Sequence, residues 1–274
     1  MNQLLLDNFE ITVSRAEDVG KLNGLILQLA VQGKLVAQDP TDEPASDLLK
    51  RIAAEKKRLK IKSQPLPEIG DEERPFVLPD SWEWVRLENI TEKIADIDHK
   101  MPKAVDEGGV KFLSAKDLLD DGTLNFEHNI KYISEEDFQR LSRKAIPQQN
   151  DIIYSRIGAR LGKARVVFTD ERFLVSYSCC IVRPIHLLDV LYLNYYLDSG
   201  EVLKQAQTHT KSIGVPDLGL QKIREFMVPL PPLAEQKRIV TRVNALFHLC
   251  DELSAHIQEA QATRAALRDA VLSS

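Results

Sequence analysis

The chain has 274 residues, 43% of them hydrophobic and 28% charged, an ordinary globular balance with apolar material for a sizeable core. Its formal net charge is −5, which excludes a uniformly basic coat and leaves local clustering of Lys and Arg as the only route to phosphate contacts. Cys179, Cys180 and Cys250 show no CxxC or Cys/His spacing, so they read as reduced structural thiols and not as a zinc site.

The opening MNQLLLDNFEITVSR lacks a basic segment followed by a long apolar run, so it does not read as a signal peptide. No apolar stretch is long enough to cross a membrane, and the expected location is cytoplasmic. Residues 1–62 read as a helical region. Leu22, Ile26 and Leu29 recur at helical spacing, and Gly33 follows as a C-cap. After the turn-rich Asp39–Pro44, a second helix carries Leu48, Leu49, Ile52 and Leu59 as an apolar stripe, with a charged outer face from Lys50 to Arg58. Residues 63–79, rich in proline and acid, read as an extended linker.

Residues 80–230 carry short β-type runs at Trp82–Leu87, Val110–Leu113, Asp151–Arg156, Ala164–Phe168 and Phe173–Val182. A helical stretch follows at Leu187–Leu197. Adjacent Cys179 and Cys180 on a strand would face opposite sides of the sheet. Trp82, Trp84 and Tyr177 have apolar neighbours and read as core. Residues 231–274 begin with Pro231-Pro232, a fixed helix start. Ile239, Val243, Leu246, Cys250, Leu253, Ile257, Ala260, Arg264, Leu267 and Val271 then step alternately by four and three. That heptad seam runs along a helix roughly 50 Å long and must be buried, against the N-terminal helix or against another copy of the chain. The expected fold class is α+β: a globular domain of mixed strands and helices flanked by long coiled-coil-forming α-helices.

No catalytic motif emerges. There is no G-x-G-x-x-G loop, no G-x-x-x-x-G-K-[ST] and no G-x-S-x-G elbow, and Pro231-Pro232 lacks the context of a base-methylation pocket. Asp96, Asp98, His99 and Lys100 form the one cluster reminiscent of a metal-dependent nuclease. The expected assignment is no catalytic residue and no metal site.

Basic segments are more informative. Tyr154–Arg165 carries Arg156, Arg160, Lys163 and Arg165, no acid, and glycines at 158 and 162 that let the backbone approach a phosphate. Ser155 has a hydroxyl to offer phosphate oxygen, and an arginine fork matches guanine O6 and N7. The same segment also fits a plain surface hairpin. Gln207–Ser212, with Thr210, Lys211 and Ser212, reads as a second contact or as a polar loop. Ser114 with Lys116 is a third candidate, Arg140–Lys144 a fourth, and His99, Lys100 and Lys103 a fifth. Their convergence would make a local basic groove despite the net negative charge.

Four stretches carry a family resemblance. PLPPLAEQKRIV at 229–240 resembles the junction between a target recognition domain and a spacer helix in type I restriction–modification specificity subunits. LPDSWEWVRL at 78–87 is similar to the opening of such a domain, and DIIYSRIGARLGK at 151–163 to its central hairpin. LILQLAVQGKLV at 25–36, followed by DPTDEPASDLLKRI at 39–52, resembles the end of a spacer helix and the linker beyond it. The resemblance implies a non-catalytic subunit that reads one half of a split double-stranded DNA target, its long helices setting the gap between halves. It implies modification subunits carrying S-adenosylmethionine and a restriction subunit using ATP and Mg²⁺, with no cofactor in this chain. Family members carry two recognition domains and two spacers, whereas one domain is visible here. That departure leaves two readings: a half-subunit that forms a homodimer through its helices, or part of a longer subunit. A coiled-coil adaptor whose globular domain binds protein is the alternative from a different class.

Overall fold

A computed structural model describes residues 16–63, 65–106, 108–210 and 216–272. The first helix, α1, spans Ala16–Val31. It ends where Gly33 adopts φ +68°, and Lys34 N–H closes back on Leu29 O at 2.9 Å, the wide bond of a glycine-terminated helix. Helix α2 spans Ala45–Arg58 and buries Leu48 and Ile52. Leu59, expected in that stripe, is 40% exposed at the C-cap. Lys56 takes the buried place, donating from Nζ to Glu88 O at 2.5 Å. A long cationic side chain can line a core when its ammonium finds a carbonyl.

Among the described residues, nine strands form three small sheets. Strand β1 (Glu83–Arg86) pairs antiparallel with β9 (Met227–Leu230), closing the globular region at its two chain ends. A four-stranded antiparallel sheet has the order β2 (Thr91–Ala95), β8 (Cys179–Pro184), β5 (Ile152–Ser155), β6 (Ala164–Val166). A third sheet places β3 (Val110–Leu113) between antiparallel β4 (Lys131–Ile133) and parallel β7 (Phe173–Val175). The four-stranded sheet is covered on both faces, which explains its unbroken apolar runs. Cys180, Val182, Ile152 and Tyr154 face one cluster, while Cys179, Ile181 and Ile153 face another. The two adjacent cysteines therefore lie on opposite sides, free and buried. Burial pushes the Cys179 thiol up to about 12.

Phe173–Val182, expected as one strand, is two. Ser176-Tyr177-Ser178 turns between β7 and β8, with Cys179 N–H donating to Ser176 O at 2.9 Å. Helix α3 spans Glu135–Leu141, and α4 spans Val190–Leu197 with the Asp189 side chain capping its first turn. Gln207–His209, expected in a polar loop, lie in α5 (Gly200–His209); α6 (Leu220–Arg224) leads into β9. Trp82 is buried, but Trp84 and Tyr177 are only half-buried.

Helix α7 covers Leu233–Leu272, 40 residues, or about 60 Å at 1.5 Å per residue. Its packing partner α1 has 16 residues and reaches about 24 Å. Ile239, Val243 and Cys250 are buried against Val19, Leu22, Ile26 and Ala30, with Leu246, Leu253 and Ile257 half-buried beside them. Leu267, towards the far end of α7, is 62% exposed. The seam thus has an internal partner over its first half and none within the described residues over its last turns.

Helix α7 is locked at its start. Glu235 is buried and accepts from Trp82 Nε1 at 2.9 Å and from Gln38 Nε2 at 2.6 Å. Burial holds its carboxyl above the ordinary range, against those hydrogen bonds. Gln236 donates to Pro231 O and accepts from Asp189 N–H, and Arg238 forks onto Asp42.

Candidate nucleic-acid interface

The topology brings several loops to one end of the molecule. Strands β5 and β8 are antiparallel with Ser155 opposite Cys179, and β2 runs against β8 with Ala95 opposite Ile181. The exits of β2 and β5 and the entries of β6 and β8 therefore share one sheet end. In the neighbouring sheet β3 and β7 are parallel, Leu113 beside Val175, so their exits emerge together. Contacts tie the two groups: Ser176 N–H donates to Leu113 O at 2.7 Å, and Ala115 N–H to Ser178 Oγ at 3.3 Å.

The β5–β6 hairpin carries the basic segment. Gly158 at φ +90° and Gly162 at φ +93° fold residues 156–163 back so that Ser155 N–H reaches Lys163 O at 2.8 Å. A Cβ at Gly162 would lie 2.9 Å from Leu203 Cδ1. Within this loop the basic residues divide by burial. Arg156 is 3% exposed: Nη2 donates to Asp96 at 2.8 Å, and Nη1 to Asp217 at 2.9 Å and to Leu218 O at 3.2 Å. Arg165 is 1% exposed, donating to Leu119 O at 2.6 Å and pairing with Asp198 at 3.0 Å. Ser155 is fully buried, and its Oγ has no hydrogen-bond partner. As placed, these three residues shape the loop and do not present themselves to an outside ligand. A buried guanidinium must be paired, and a sheet covered on both faces buries Ser155 and Arg165 whichever side they take.

Arg160 and Lys163 point outward, 31% and 39% exposed, and both engage Asp120 at 3.0 and 3.1 Å. Arg160 also donates to Leu118 O at 2.5 Å. Lys116 is exposed, its Nζ donating to Asn129 O at 3.3 Å, while Ser114 donates to Asp117 and starts a short 3-10 turn. Thr210 caps α5, its hydroxyl donating to Gln207 O. Lys211 and Ser212 lie outside the described residues. Pro216, described again beyond them, has a carbonyl that accepts from Gly158 N–H at 2.9 Å. His99 and Lys144 sit on the same surface, beside Arg156 and Asp96 respectively. The structure thus joins the segments around Lys116, Arg160–Lys163, Lys144 and His99 on one rim.

Three features escaped sequence reasoning. Asp96, read with Asp98 as a possible metal ligand, is 5% exposed and neutralises Arg156, and the described residues hold no group of metal-ligand type. Asp120 and Asp217 serve as counter-ions from distant loops, with no local signal in the chain. His99 stacks on Tyr177, ring centroids 4.7 Å apart and 15° between planes, joining residues 78 positions apart.

Comparison with known proteins gives a single direction. Residues 79–260 match the family model of the type I restriction modification DNA specificity domain. The chain is 33% identical to the EcoAI type I restriction enzyme specificity subunit of Escherichia coli, across 97% of this chain and 46% of that protein. It is 31% identical to the EcoEI specificity subunit of the same organism, across 96% and 46%. A chain from a solved structure concerned with assembly and conformational transition of the type I R-M system shares the fold. Its TM-score is 0.54 at 17% identity, covering 99% of this chain and 58% of that one. The chain spans about half the length of the curated relatives it matches. On its fold, its rim of basic loops and these matches, the chain belongs to the type I restriction–modification DNA specificity family.

Proposed function

We propose that the globular region reads one half of a bipartite double-stranded DNA target through the rim built by residues 96–103, 114–124, 156–163 and 216–217. The observation that carries this reading is the convergence of separately encoded basic segments at one sheet end, in a chain of the DNA specificity family. Arg160, Lys163 and Lys116 supply charge for phosphates, and the Arg160 fork matches a guanine edge. Thr210, Lys211 and Ser212 add donors from the adjoining segment. Ser155, Arg156 and Arg165 act beneath the rim, holding the loops in register, and Ser114 does so through its turn. Catalysis belongs to partners: modification subunits carry S-adenosylmethionine, and a restriction subunit uses ATP and Mg²⁺. Helices α1 and α7 hold the modification subunits. The exposed far turns of α7 pair with a second spacer helix, from a second copy of the chain.

The test is to express the chain with its cognate modification subunit in cells free of other adenine methylation and to map methylated adenines. A split palindromic motif supports half-site reading by two copies. A split asymmetric motif assigns the second half to another recognition domain and removes the homodimer. No methylation, with an active modification subunit, turns the reading towards a protein-binding adaptor.

A further inference from the structure

Asp120 is an unusual acid for a DNA-facing rim. It is 71% exposed, yet its carboxylate bridges Arg160 Nη2 at 3.0 Å and Lys163 Nζ at 3.1 Å. The hydrogen bond from Lys163, then that from Arg160, holds its carboxyl below the usual carboxylate range. The turn that carries it is built. Leu119 N–H donates to Thr123 O at 2.9 Å, Thr123 N–H to Asp121 Oδ1 at 2.9 Å, and Gly122 takes φ +93°. Asp121 thus serves the turn, leaving Asp120 to serve the cations. A carboxylate oxygen held at about 3 Å by a guanidinium and an ammonium occupies the place that a phosphate oxygen would take.

We infer that Asp120 is an autoinhibitory contact, an intramolecular stand-in for a DNA phosphate that masks Arg160 and Lys163 until a bound duplex displaces it. The inference rests on the DNA-reading function proposed above. Two consequences follow from charge alone. On random-sequence DNA, where binding is almost wholly electrostatic, the competing carboxylate lowers affinity by occupying both cations. On the cognate half-site, base-edge contacts made once the loops are seated supply the free energy that displaces Asp120. Asp120 therefore lowers affinity for both kinds of duplex, since breaking the same two ion pairs is a cost to every complex that uses Arg160 and Lys163.

The experiment measures binding of the full chain, assembled with its modification subunits, to a short labelled duplex of random sequence and to one carrying the methylated motif. Fluorescence anisotropy is followed from about 50 to 200 mM salt. Asp120→Asn is expected to tighten random-sequence binding roughly three- to ten-fold, the range for releasing two part-exposed ion pairs. It should steepen the salt slope by about one to two, close to one per additional phosphate neutralised. Cognate binding should tighten by at least the same factor, because the same two ion pairs are broken when that complex forms. Glu127→Gln makes the same change in net charge in the same loop without touching Arg160 or Lys163, and should leave both affinities in place. Equal tightening in Glu127→Gln would make the effect one of bulk charge and overturn the inference. So would unchanged or weaker random-sequence binding in Asp120→Asn. The underlying reading fails differently: the wild-type complex then binds neither duplex, and the inference falls with it.

Discussion

Replacing Arg156 by methionine would separate the framework beneath the rim from the rim itself. The guanidinium is 3% exposed and joins Asp96, 7% exposed, to Asp217, 58% exposed. The outer pair is solvent-screened and contributes at most about 1 kcal/mol. The inner pair dominates, because its loss leaves a carboxylate buried without its main partner, at a cost of about 3–5 kcal/mol. Lys144 lies 3.8 Å from Asp96 and is half in solvent, so it offers partial compensation and favours the lower end. Against a total of about 5–15 kcal/mol, a loss near 3 is large. For a chain of this size it lowers Tm by roughly 6–12 °C. Differential scanning calorimetry and urea titration would measure it. Asp96→Asn added to Arg156→Met removes the stranded charge, so the double variant should be more stable than the single one. Arg160→Gln, on the rim, should change stability by less than about 0.5 kcal/mol while weakening DNA binding. A single Arg156 variant within about 1 kcal/mol of wild type, or a double variant less stable than it, would refute the buried-pair account.

Glu235→Ala strands the buried Trp82 Nε1 and frees Gln38, and is expected to cost about 1–3 kcal/mol by urea unfolding. Because burial raises the folded-state value of this carboxyl above 4.5, its contribution is greatest below that pH and diminishes as pH rises through the raised value. The stability gap between wild type and Glu235→Ala should accordingly narrow from acid to neutral pH. Leu267→Glu sits on an exposed turn of α7, so monomer stability should hold within about 0.5 kcal/mol, while sedimentation velocity should show loss of a helix-mediated dimer. Ile239→Glu, at the buried start of the seam, should instead destabilise the monomer itself.

The elements are legible in the chain wherever a local rule acts. Gly33 ends α1 because only a residue tolerant of positive φ closes that turn, and Pro231-Pro232 starts α7 because proline suits a first helical turn. Alternation placed Cys179 and Cys180 on opposite faces, and the heptad steps located the seam of α7. The basic hairpin could be found because its glycines and cations lie together in the sequence. Tertiary structure decided which cations are available. Arg156 and Arg165 are cations like Arg160 and Lys163. Their burial depends on Asp96, Asp198 and Asp217, which other strands and loops carry to within 3.0 Å. Periodicity showed that the seam must be covered. How much of it finds cover among the described residues depends on the length of α1 against α7, roughly 24 Å against 60 Å. Local propensity and patterning act over a few residues and can be read from the chain. Ion pairing and burial depend on the distance between residues tens of positions apart, and only the fold sets that distance.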